Sequence, residues 1–558
     1  GSEVKAGRAR PRNFQSERLS FGHFTTCADT MNSEQNSTIA DYFLAAAARW
    51  PQSDFLIFPD HRHTYTTMKT AMLSRAASFK ACGIVPGDHV GLLMANCPEY
   101  IECLLGLQCL GAIAVPMNAR YKPDELAYVV SNAELKLIVT HDLISEYADF
   151  GRLLLEAAAL SKPEALSAMV MLGGQRAGFM TQADFEAAGV NSDQSAVLET
   201  LRAVSSEDTA IMMYTSGTTA HPKGCPLHHD MLVQNGINMN QSRYFLTDQD
   251  RFWAPLPMFH MASILPMLCC IDAGAALLSM VHMDAGESLA MLEAERATVA
   301  FPSFPTVTAA LIAHPDFETR DLSSIKRLNN VAPPDVLRQF QAAFPQSIQT
   351  GAYGLTEAGG VLAFNHPDET LESRVTTCGK PMPGLEAKIM HPETQTPCLP
   401  GERGEIWLRG YAIFKGYYKS PEKNEEAFQD GWFRTGDLCV MRASGEIEFH
   451  GRIKDMLKVG GENVAAIEIE SLISKHPSVK MAQVIGVADY RLSEVAAAYV
   501  ECHDGQPVTQ EELIEYCQGK IASFKIPRHV RVVQDWPMSA TKVQKFVLRQ
   551  WFDAEVSA

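Results

Sequence analysis

The run Tyr214–Gly224 has the composition that binding a polyphosphate requires. It reads YTSGTTAHPKG, so several hydroxyl side chains, two glycines and a lysine, Lys223, lie close together. Backbone N–H groups and hydroxyls can surround phosphate oxygens, and the lysine adds a positive charge. In a Walker loop the lysine instead follows a glycine and precedes Ser or Thr. The run therefore predicts a phosphate-binding loop of another kind, with an ordinary exposed Ser/Thr/Gly loop as the alternative.

Two later runs carry chemistry that suits the rest of a nucleotide. The run GAYGLTE contains Tyr353, which can stack on a base, Thr356, which can donate to a phosphate, and Glu357, which can hold Mg²⁺ through oxygen. The run WFRTGD ends at Asp437, and we expect this carboxylate to follow a tight turn and to chelate two ribose hydroxyls. For Thr356 and Glu357 the alternative is an ordinary helix cap.

The segments around these runs predict the fold class. An apolar run at 209–213 predicts a buried strand before the phosphate loop, and the segment from Leu227 onward predicts the start of a helix. Apolar runs such as 90–94, 112–115 and 135–140 alternate with helical patterns, and a capped helix is predicted at 38–50. Alternating strands and helices indicate an α/β fold with largely parallel sheets.

The pattern of predicted strands and helices changes twice towards the C-terminus. From about 380, short strands between Pro and Gly residues predict a small β subdomain. After 452, helices and strands at 467–476, 481–487, 496–501, 509–522 and 529–534 predict a separate α+β domain. We therefore predict three segments: a tag or disordered segment at 1–35, a large multi-subdomain N-terminal domain at 36–451, and a smaller mobile C-terminal domain at 452–558.

The bulk composition excludes several classes of partner. The chain has 558 residues, with 48 basic against 65 acidic side chains and a net charge of −17, which argues against nucleic acid as a partner. Its thirteen cysteines include no Cys-x-x-Cys pair, which is typical of a reducing compartment. Apolar stretches are too short for a membrane span and no signal peptide is visible. We expect a cytoplasmic protein without a membrane span.

Six segments, in order, resemble the motifs of the adenylate-forming, or AMP-binding, enzyme superfamily, and the resemblance covers nearly the whole chain from about 38. This superfamily includes acyl-CoA synthetases, peptide-synthetase adenylation domains and firefly-type luciferases. The segments are Tyr214–Gly224, Pro255–His260, Gly351–Glu357, Trp432–Asp437, Lys458–Asn463 and Pro537–Lys545.

The chain departs from the family pattern in three places. Ala220 stands where the family has a third glycine, and Ala465 and Ala466 replace a frequent Tyr-Pro. The glycine before the family's C-terminal catalytic lysine is absent, so Lys542 is the best match and Lys545 is its rival.

The resemblance implies an ATP-dependent carboxylic acid:CoA ligase with ATP, Mg²⁺ and CoA as cofactors. It would form an acyl-adenylate and pyrophosphate, and then a thioester with release of AMP, as the small domain rotates about Lys454. The implied catalytic residues are Lys542, His260, Thr356 and Lys458; the implied ATP- or CoA-binding residues are Thr215, Ser216, Gly217, Thr218, Thr219, Lys223, Ala352, Tyr353, Gly354, Asp437, Arg452, Gly460, Gly461, Phe524 and Arg528; and the implied Mg²⁺ ligands are Glu357 and Thr215.

Other functions stay open on the sequence alone. They are a ligase that loads a separate acyl- or aminoacyl-carrier protein, a luciferase-like oxidase, and a nucleotide-binding regulator with a decayed site, which Ala220 suggests. A homodimer is also left open. The acid pocket is expected at 260–264, 301–304, 329–332 and 358–361, where mostly small or apolar residues suit a medium-sized aliphatic, alicyclic or aromatic acid. Asn329 and Asn330 are the polar exception there.

Overall fold

The computed structural model describes residues 37–190, 194–215, 222–459, 462–539 and 542–557. Several predictions fall outside the described residues: the whole segment 1–35 and the site residues Ser216, Gly217, Thr218, Thr219, Gly460 and Gly461.

The helices, in chain order, are α1 (Ile39–Arg49), α2 (Tyr65–Ala81), α3 (Pro98–Cys109), α4 (Pro123–Asn132), α5 (Phe150–Ser161), α6 (Gln182–Val190), α7 (Gln194–Arg202), α8 (His229–Met239), α9 (Met261–Ala273), α10 (Ala285–Ala294), α11 (Pro305–Ala313), α12 (Pro334–Ala343), α13 (Leu371–Thr376), α14 (Pro421–Ala427), α15 (Ala466–Ile473), α16 (Gln510–Cys517) and α17 (Lys545–Ser557).

The strands are β1 (Asp54–Phe58), β2 (His61–Thr64), β3 (His89–Leu93), β4 (Ile113–Pro116), β5 (Leu137–His141), β6 (Ala168–Leu172), β7 (Met180–Thr181), β8 (Thr209–Thr215), β9 (Lys223–His228), β10 (Arg251–Trp253), β11 (Ala276–Leu278), β12 (Val299–Ser303), β13 (Arg327–Asn330), β14 (Ile348–Thr350), β15 (Ala352–Tyr353), β16 (Ala363–Phe364), β17 (Lys380–Pro381), β18 (Leu385–Met390), β19 (Arg403–Gly410), β20 (Phe428–Gln429), β21 (Trp432–Met441), β22 (Ile447–Arg452), β23 (Met456–Val459), β24 (Glu462–Ala465), β25 (Val479–Asp489), β26 (Ser493–Cys502), β27 (His529–Val532), β28 (Met538–Ser539) and β29 (Lys542–Val543).

Two seven-stranded sheets form the frame of the large N-terminal part. Their strand orders are β7-β6-β5-β3-β4-β8-β9 and β14-β13-β12-β10-β11-β1-β2. Neighbouring strands pair in parallel except at one edge of each sheet, where β8–β9 and β1–β2 are antiparallel. Strands such as β3 are buried along almost their whole length, as parallel strands covered on both faces are expected to be. The predicted α/β fold with parallel sheets is confirmed.

Local signals set the first helix where the sequence predicts it. Thr38 is the N-cap of α1, and its side chain accepts a hydrogen bond from the backbone N–H of Asp41. The buried face of α1 includes Ile39, Tyr42 and Phe43, which belong to the main hydrophobic core.

The C-terminal half contains the two smaller predicted units. Strands β18, β19, β21 and β20, with β22 paired to β21, form the small β sheet. After it, β24-β23-β26-β25, with β27 beside β26, form a mixed sheet that packs with α15–α17. The two hydrophobic clusters of this last part contain only residues from 457 onward. The boundary at 452 and the mobility of the C-terminal part stay predictions.

The segment after the phosphate loop is a strand, so the predicted helix start at Leu227 is wrong. Residues Lys223–His228 form β9, which pairs antiparallel with β8, and α8 begins only at His229. Cys225 and Leu227 are both fully buried on this strand. The burial of β9 does not alternate regularly along the strand, so no local pattern in the sequence distinguishes it from the start of a helix.

Among the described residues, no helix combines the length and apolar character needed to cross a bilayer.

Candidate active site

The two ends of the phosphate loop are held side by side. Thr215 at the end of β8 is the register partner of Lys223 at the start of β9. The backbone N–H of Tyr418 donates to the carbonyl of Gly224 at 2.8 Å, which attaches β9 to the segment after β19. The residues that begin and end the loop are therefore fixed by sheet pairing, and Lys223 stays half-buried beside them.

Tyr417 connects the phosphate lysine to the predicted metal carboxylate. The Nζ atom of Lys223 lies 4.0 Å from the centre of the Tyr417 ring, and the Tyr417 hydroxyl donates to Glu357 Oε1 at 2.8 Å. Asn424 fixes the backbone of Tyr417, because its amide accepts from the Tyr417 N–H at 2.7 Å and donates to the Tyr417 carbonyl at 3.0 Å. Burial lowers the pKa of Lys223, while Glu357 opposes this shift. The sequence analysis missed Tyr417, since no local pattern shows that it contacts residues so distant in sequence.

Asp437 is the centre of a second buried group. The Tyr353 hydroxyl donates to Asp437 Oδ2 at 2.7 Å, and Arg452 Nε lies 3.1 Å from Asp437 Oδ1. Oδ1 has no aligned hydrogen-bond donor among the described residues, although it is buried. Burial raises the pKa of Asp437, and Arg452 and the Tyr353 hydrogen bond act against this rise. Oδ1 thus keeps acceptor capacity for a hydroxyl group, which fits a ribose.

The predicted tight turn before Asp437 is wrong, because Asp437 lies inside the long strand β21. Gly436 has a φ of +71°, and the pairing of β21 with β22 shifts register between Asp437 and Cys439. The buried carboxylate of Glu405 accepts from the Gly436 N–H at 3.0 Å and from Trp407 Nε1 at 2.9 Å. Glu405 therefore supports an irregularity that directs the Asp437 side chain, as β-bulges near functional sites do.

The predicted base-binding run is closely packed. Tyr353 lies on β15 next to Ala352, and its ring stacks at 5.9 Å on Phe449. A Cβ atom at Gly354 would lie 1.8 Å from the carbonyl oxygen of Gly360, so only glycine fits there. Thr356 and Glu357 follow in a 3₁₀ turn and are half-buried.

The C-terminal part brings Lys542 to this group of residues. Lys542 begins β29, and its charge interacts with Arg452, Asp437, Glu357 and Lys454. Lys542 keeps some surface exposed to solvent, but many protein atoms lie around it. Loss of solvation is the larger cause that lowers its pKa, and the charge of Arg452 is the second. The rival Lys545 instead pairs with Glu470 at 2.6 Å within the C-terminal part.

His260 precedes α9 and lies near Lys542. Loss of solvation, and secondly the charge of Lys542, lower the pKa of His260 to about 4. The imidazole is therefore neutral at pH 7 and can act as a neutral hydrogen-bonding group. The roles of His260, Lys542 and the other site residues stay predictions.

Three predicted residues of the CoA step lie away from this group. Lys458 on β23 and Arg528 are exposed, and Phe524 packs against the core of the C-terminal part. Beside Phe524, Lys525 pairs with Glu468 at 2.5 Å, and Arg403 of the small β sheet lies 3.1 Å from the same carboxylate. Lys475 also pairs with Asp335 on α12, again joining the C-terminal part to the N-terminal part.

The expected acid pocket offers less polarity than the sequence suggests. Asn329 and Asn330 are fully buried. Thr308 Oγ1 donates to Asn330 Oδ1 at 2.7 Å, and Asn329 Nδ2 donates to the Thr350 carbonyl at 3.2 Å. Ser303, at the end of β12, has a φ of +58°, which is uncommon for a residue with a side chain. Both amides are thus engaged at the strand ends, and the lining of an acid pocket by their apolar neighbours stays a prediction.

Comparisons with known proteins identify the family of the chain and the fold it shares. The sequence profile of the family described as AMP-binding enzyme matches residues 43–418, and that of the AMP-binding enzyme C-terminal domain matches residues 468–542. The putative acyl-CoA synthetase YngI of Bacillus subtilis (strain 168) is 33% identical over 534 residues, covering 92% of this chain and 97% of that protein.

Two further proteins match over most of their length. The mitochondrial medium-chain acyl-CoA ligase ACSF2 of Mus musculus is 30% identical over 538 residues, covering 92% of this chain and 87% of the relative. The crystal structure of the anthranilate CoA ligase AuaEII in complex with anthranoyl-AMP matches with a TM-score of 0.82 at 25% identity, covering 94% of this chain and 99% of that one.

Replacing Tyr417 should separate its two contacts. Tyr417→Phe keeps the ring beside Lys223 but removes the hydrogen bond to Glu357, so we expect about tenfold weaker binding of Mg²⁺ in the presence of ATP. Tyr417→Leu also removes the cation–π contact and should weaken ATP binding itself. Calorimetric titration with ATP at several Mg²⁺ concentrations measures both effects. Tyr418→Phe is the matched control, because its hydroxyl faces Glu134. Equal Mg²⁺ dependence in Tyr417→Phe and Tyr418→Phe would contradict the assignment.

Asp437→Asn should weaken ATP binding by about tenfold or more while leaving the melting temperature near that of the unmodified protein. Asparagine keeps the shape of the side chain but loses the charge that makes its acceptor bonds strong. We prefer it to Asp437→Ala, because both changes remove the charge paired with Arg452 but only asparagine keeps a side-chain oxygen that can accept from Tyr353. Unchanged ATP affinity, with the fold intact, would mean that Asp437 only stabilises β21.

Proposed function

Because the chain belongs to the AMP-binding enzyme family, we propose that this adenylate-forming, acyl-CoA synthetase-like enzyme is an ATP-dependent carboxylic acid:CoA ligase. One observation carries the proposal: Tyr353 and Arg452 meet at Asp437, at 2.7 and 3.1 Å, and the charge of Lys542 acts on the same group. A lysine among these groups can meet the phosphates of a nucleotide whose ribose is held at Asp437.

The proposed reaction has two balanced steps. In the first, a carboxylate oxygen of the acid attacks the α-phosphorus of ATP; the new O–P bond forms as the bond to the β-phosphate breaks, and pyrophosphate leaves. In the second, the sulfur of CoA attacks the acyl carbon; the C–S bond forms, the C–O bond to the adenylate breaks, the thiol proton passes to solvent, and AMP leaves. Positioning and neutralisation of charge account for most catalysis of this kind.

The proposed roles follow from where charge appears. Lys542 neutralises the α-phosphate as the carboxylate approaches it, with Thr356 as a hydrogen-bond donor. Lys223 and the hydroxyls of the phosphate loop hold the outer phosphates. Asp437 and Arg452 bind the ribose, and Tyr353, with the backbone of Ala352 and Gly354, borders the base. His260, neutral at pH 7, borders the carboxylate.

The residues present fit a magnesium ion. Glu357 offers one carboxylate oxygen beside the one bonded to Tyr417, and Thr215 offers a hydroxyl; oxygen ligands are those that Mg²⁺ prefers. When bound, Mg²⁺ supplies positive charge that neutralises phosphate oxygens. Glu357, oriented by Tyr417, would be its main protein ligand.

The second step requires the C-terminal part to move, and we propose the 3₁₀ turn Ile453–Asp455 around Lys454 as the hinge. Lys542 would leave, and Lys458 with the adjoining glycines would take its place. CoA would contact Phe524 and Arg528, and these two residues are the reason for proposing CoA as the acceptor of the acyl group. A cytoplasmic location belongs to the same proposal.

A panel of acids tests the function directly. Pyrophosphate release should depend on both ATP and an acid, with medium-sized aliphatic and aromatic acids preferred, because the expected pocket is apolar. Thioester formation with free CoA, measured beside loading of a carrier protein, separates the two acceptors. Light emission or oxygen consumption would indicate an oxidase, and absence of acid-dependent pyrophosphate release would indicate a regulator.

Lys542→Ala should abolish formation of the adenylate but leave thioester formation from supplied acyl-adenylate largely intact. The reason is that the proposed lysine acts only while the α-phosphate is attacked. Lys545→Ala is the control: loss of its partly buried pair with Glu470 should lower the melting temperature but not separate the two steps. The opposite pattern would make Lys545 the catalytic lysine.

The adenylation rate should fall at high pH. Loss of solvation and the charge of Arg452 lower the pKa of Lys542. As the pH rises, this lysine therefore loses its proton at a lower pH than an ordinary lysine, whose pKa is about 10.4. We expect a falling limb in kcat/KM for ATP, which reports the free enzyme. Lys542→Arg, which stays charged, should shift this limb upward. A limb unchanged in Lys542→Arg would assign it to Lys223 instead.

A further inference from the structure

Three side chains of metal-binding type meet outside the site described above. His61 and His63 are two residues apart on β2 and therefore share a face of the strand, and Glu102 approaches from α3. Their ligand atoms all lie within 4.8 Å of one another, and the two imidazole centres are 4.5 Å apart. We propose that His61, His63 and Glu102 bind a divalent transition-metal ion of the zinc class.

The hydrogen bonds of Thr67 fix the orientation of His63. The Thr67 hydroxyl donates to the carbonyl of Thr64 at 3.2 Å and accepts the N–H of Thr64 at 2.9 Å. A hydroxyl has only one proton, so when that proton is directed to the Thr64 carbonyl the oxygen can accept from His63 Nδ1 at 3.2 Å. Histidines that bind metals commonly donate from one ring nitrogen in this way, which leaves the other nitrogen free to bind the ion.

The second nitrogen of His63 faces a carboxylate at a distance that one ion can bridge. His63 Nε2 lies 3.1 Å from Glu102 Oε1. Two ligands on a tetrahedral zinc ion, each about 2.0–2.1 Å from the metal, lie roughly 3.3 Å apart. His63 and Glu102 are buried and His61 is exposed, so His61 can rotate to complete the set while a water takes the fourth position.

The charges around His63 and Glu102 favour a cation between these two side chains. Arg75 binds the other oxygen of Glu102, with Nε at 3.0 Å, and also pairs with Glu186 at 2.9 Å. The two carboxylates exceed the one guanidinium by one negative charge. Arg75 thus orients Glu102 without occupying Oε1. The competing explanation is a metal-free polar network, in which His63 and Glu102 share a hydrogen bond and no ion lies between them.

A bound ion would have a structural consequence. Among the strands that the structure describes, β2 is the last of its sheet and pairs only with β1. The ion would attach this edge strand to the buried helix α3, and it would do so only in the folded chain. Ligands that bind only the folded state raise stability by mass action.

The test uses the full chain without a tag, freed of metals by a chelator and kept in excess Mg²⁺ so that oxygen-only sites are filled. Zn²⁺ is titrated by calorimetry, and Co²⁺ is added to a parallel sample to record its visible absorption. His61→Ala removes an exposed ligand with little risk to the fold. His282→Ala, a similarly exposed histidine outside the cluster, is the matched control.

We expect one Zn²⁺ ion to bind at least about tenfold more tightly to the unmodified protein and to His282→Ala than to His61→Ala. Zn²⁺ should raise the melting temperature of the first two proteins more than that of His61→Ala. Co²⁺ should give a tetrahedral spectrum without thiolate charge-transfer absorption, which distinguishes this site from the cysteines. Equal affinity in His61→Ala and the unmodified protein, or no binding to either, would overturn the proposal and leave the metal-free network.

Discussion

The buried carboxylate of Asp437 is the contact on which the candidate site depends. Through Tyr353 it joins the small three-stranded sheet of β15 to the long strand β21, and through Arg452 it reaches the 3₁₀ turn Ile453–Asp455, the predicted start of the C-terminal part. A buried carboxylate is costly unless neighbouring groups compensate its charge. Because Tyr353, Arg452 and Lys542 supply that compensation from different elements, the same constraint that stabilises Asp437 also gathers the predicted site.

The sequence predicts the architecture well because repeated patterns encode it. The alternation of apolar runs with helical segments indicates the parallel sheets, and the predicted capped helix at 38–50 corresponds to α1, which Thr38 caps. Irregular features were harder to predict. The strand β9 depends on pairing with β8, and the bulge at Asp437 depends on Glu405, which lies more than thirty residues away in sequence. Neither dependence leaves a local signal.

Candidate site residues divide in the same way. Lys223, Glu357, Asp437 and Lys542 could be chosen from motifs because each belongs to a short run of distinctive composition. Tyr417 could not, since its importance comes from lying between Lys223 and Glu357 in space. The sequence predicts that Asn330, a polar residue, faces the acid. Its side chain instead forms hydrogen bonds with Thr308 and Gln349. Composition identifies chemical capacity, and only packing decides how it is used.

The ion pairs between the N- and C-terminal parts have a consequence for the conditions in which the enzyme works. Lys475 and Asp335 each keep about half of their side-chain surface exposed, at 52%, and Arg403 and Glu468 are also partly open to water. Pairs of this kind are weak and are screened by salt over a Debye length of about 8 Å at physiological ionic strength. If the C-terminal part must detach for the second step, then dissolved salt favours the detached arrangement. Under the proposed two-step reaction, a higher ionic strength would therefore shift the balance towards the arrangement that consumes the activated acid.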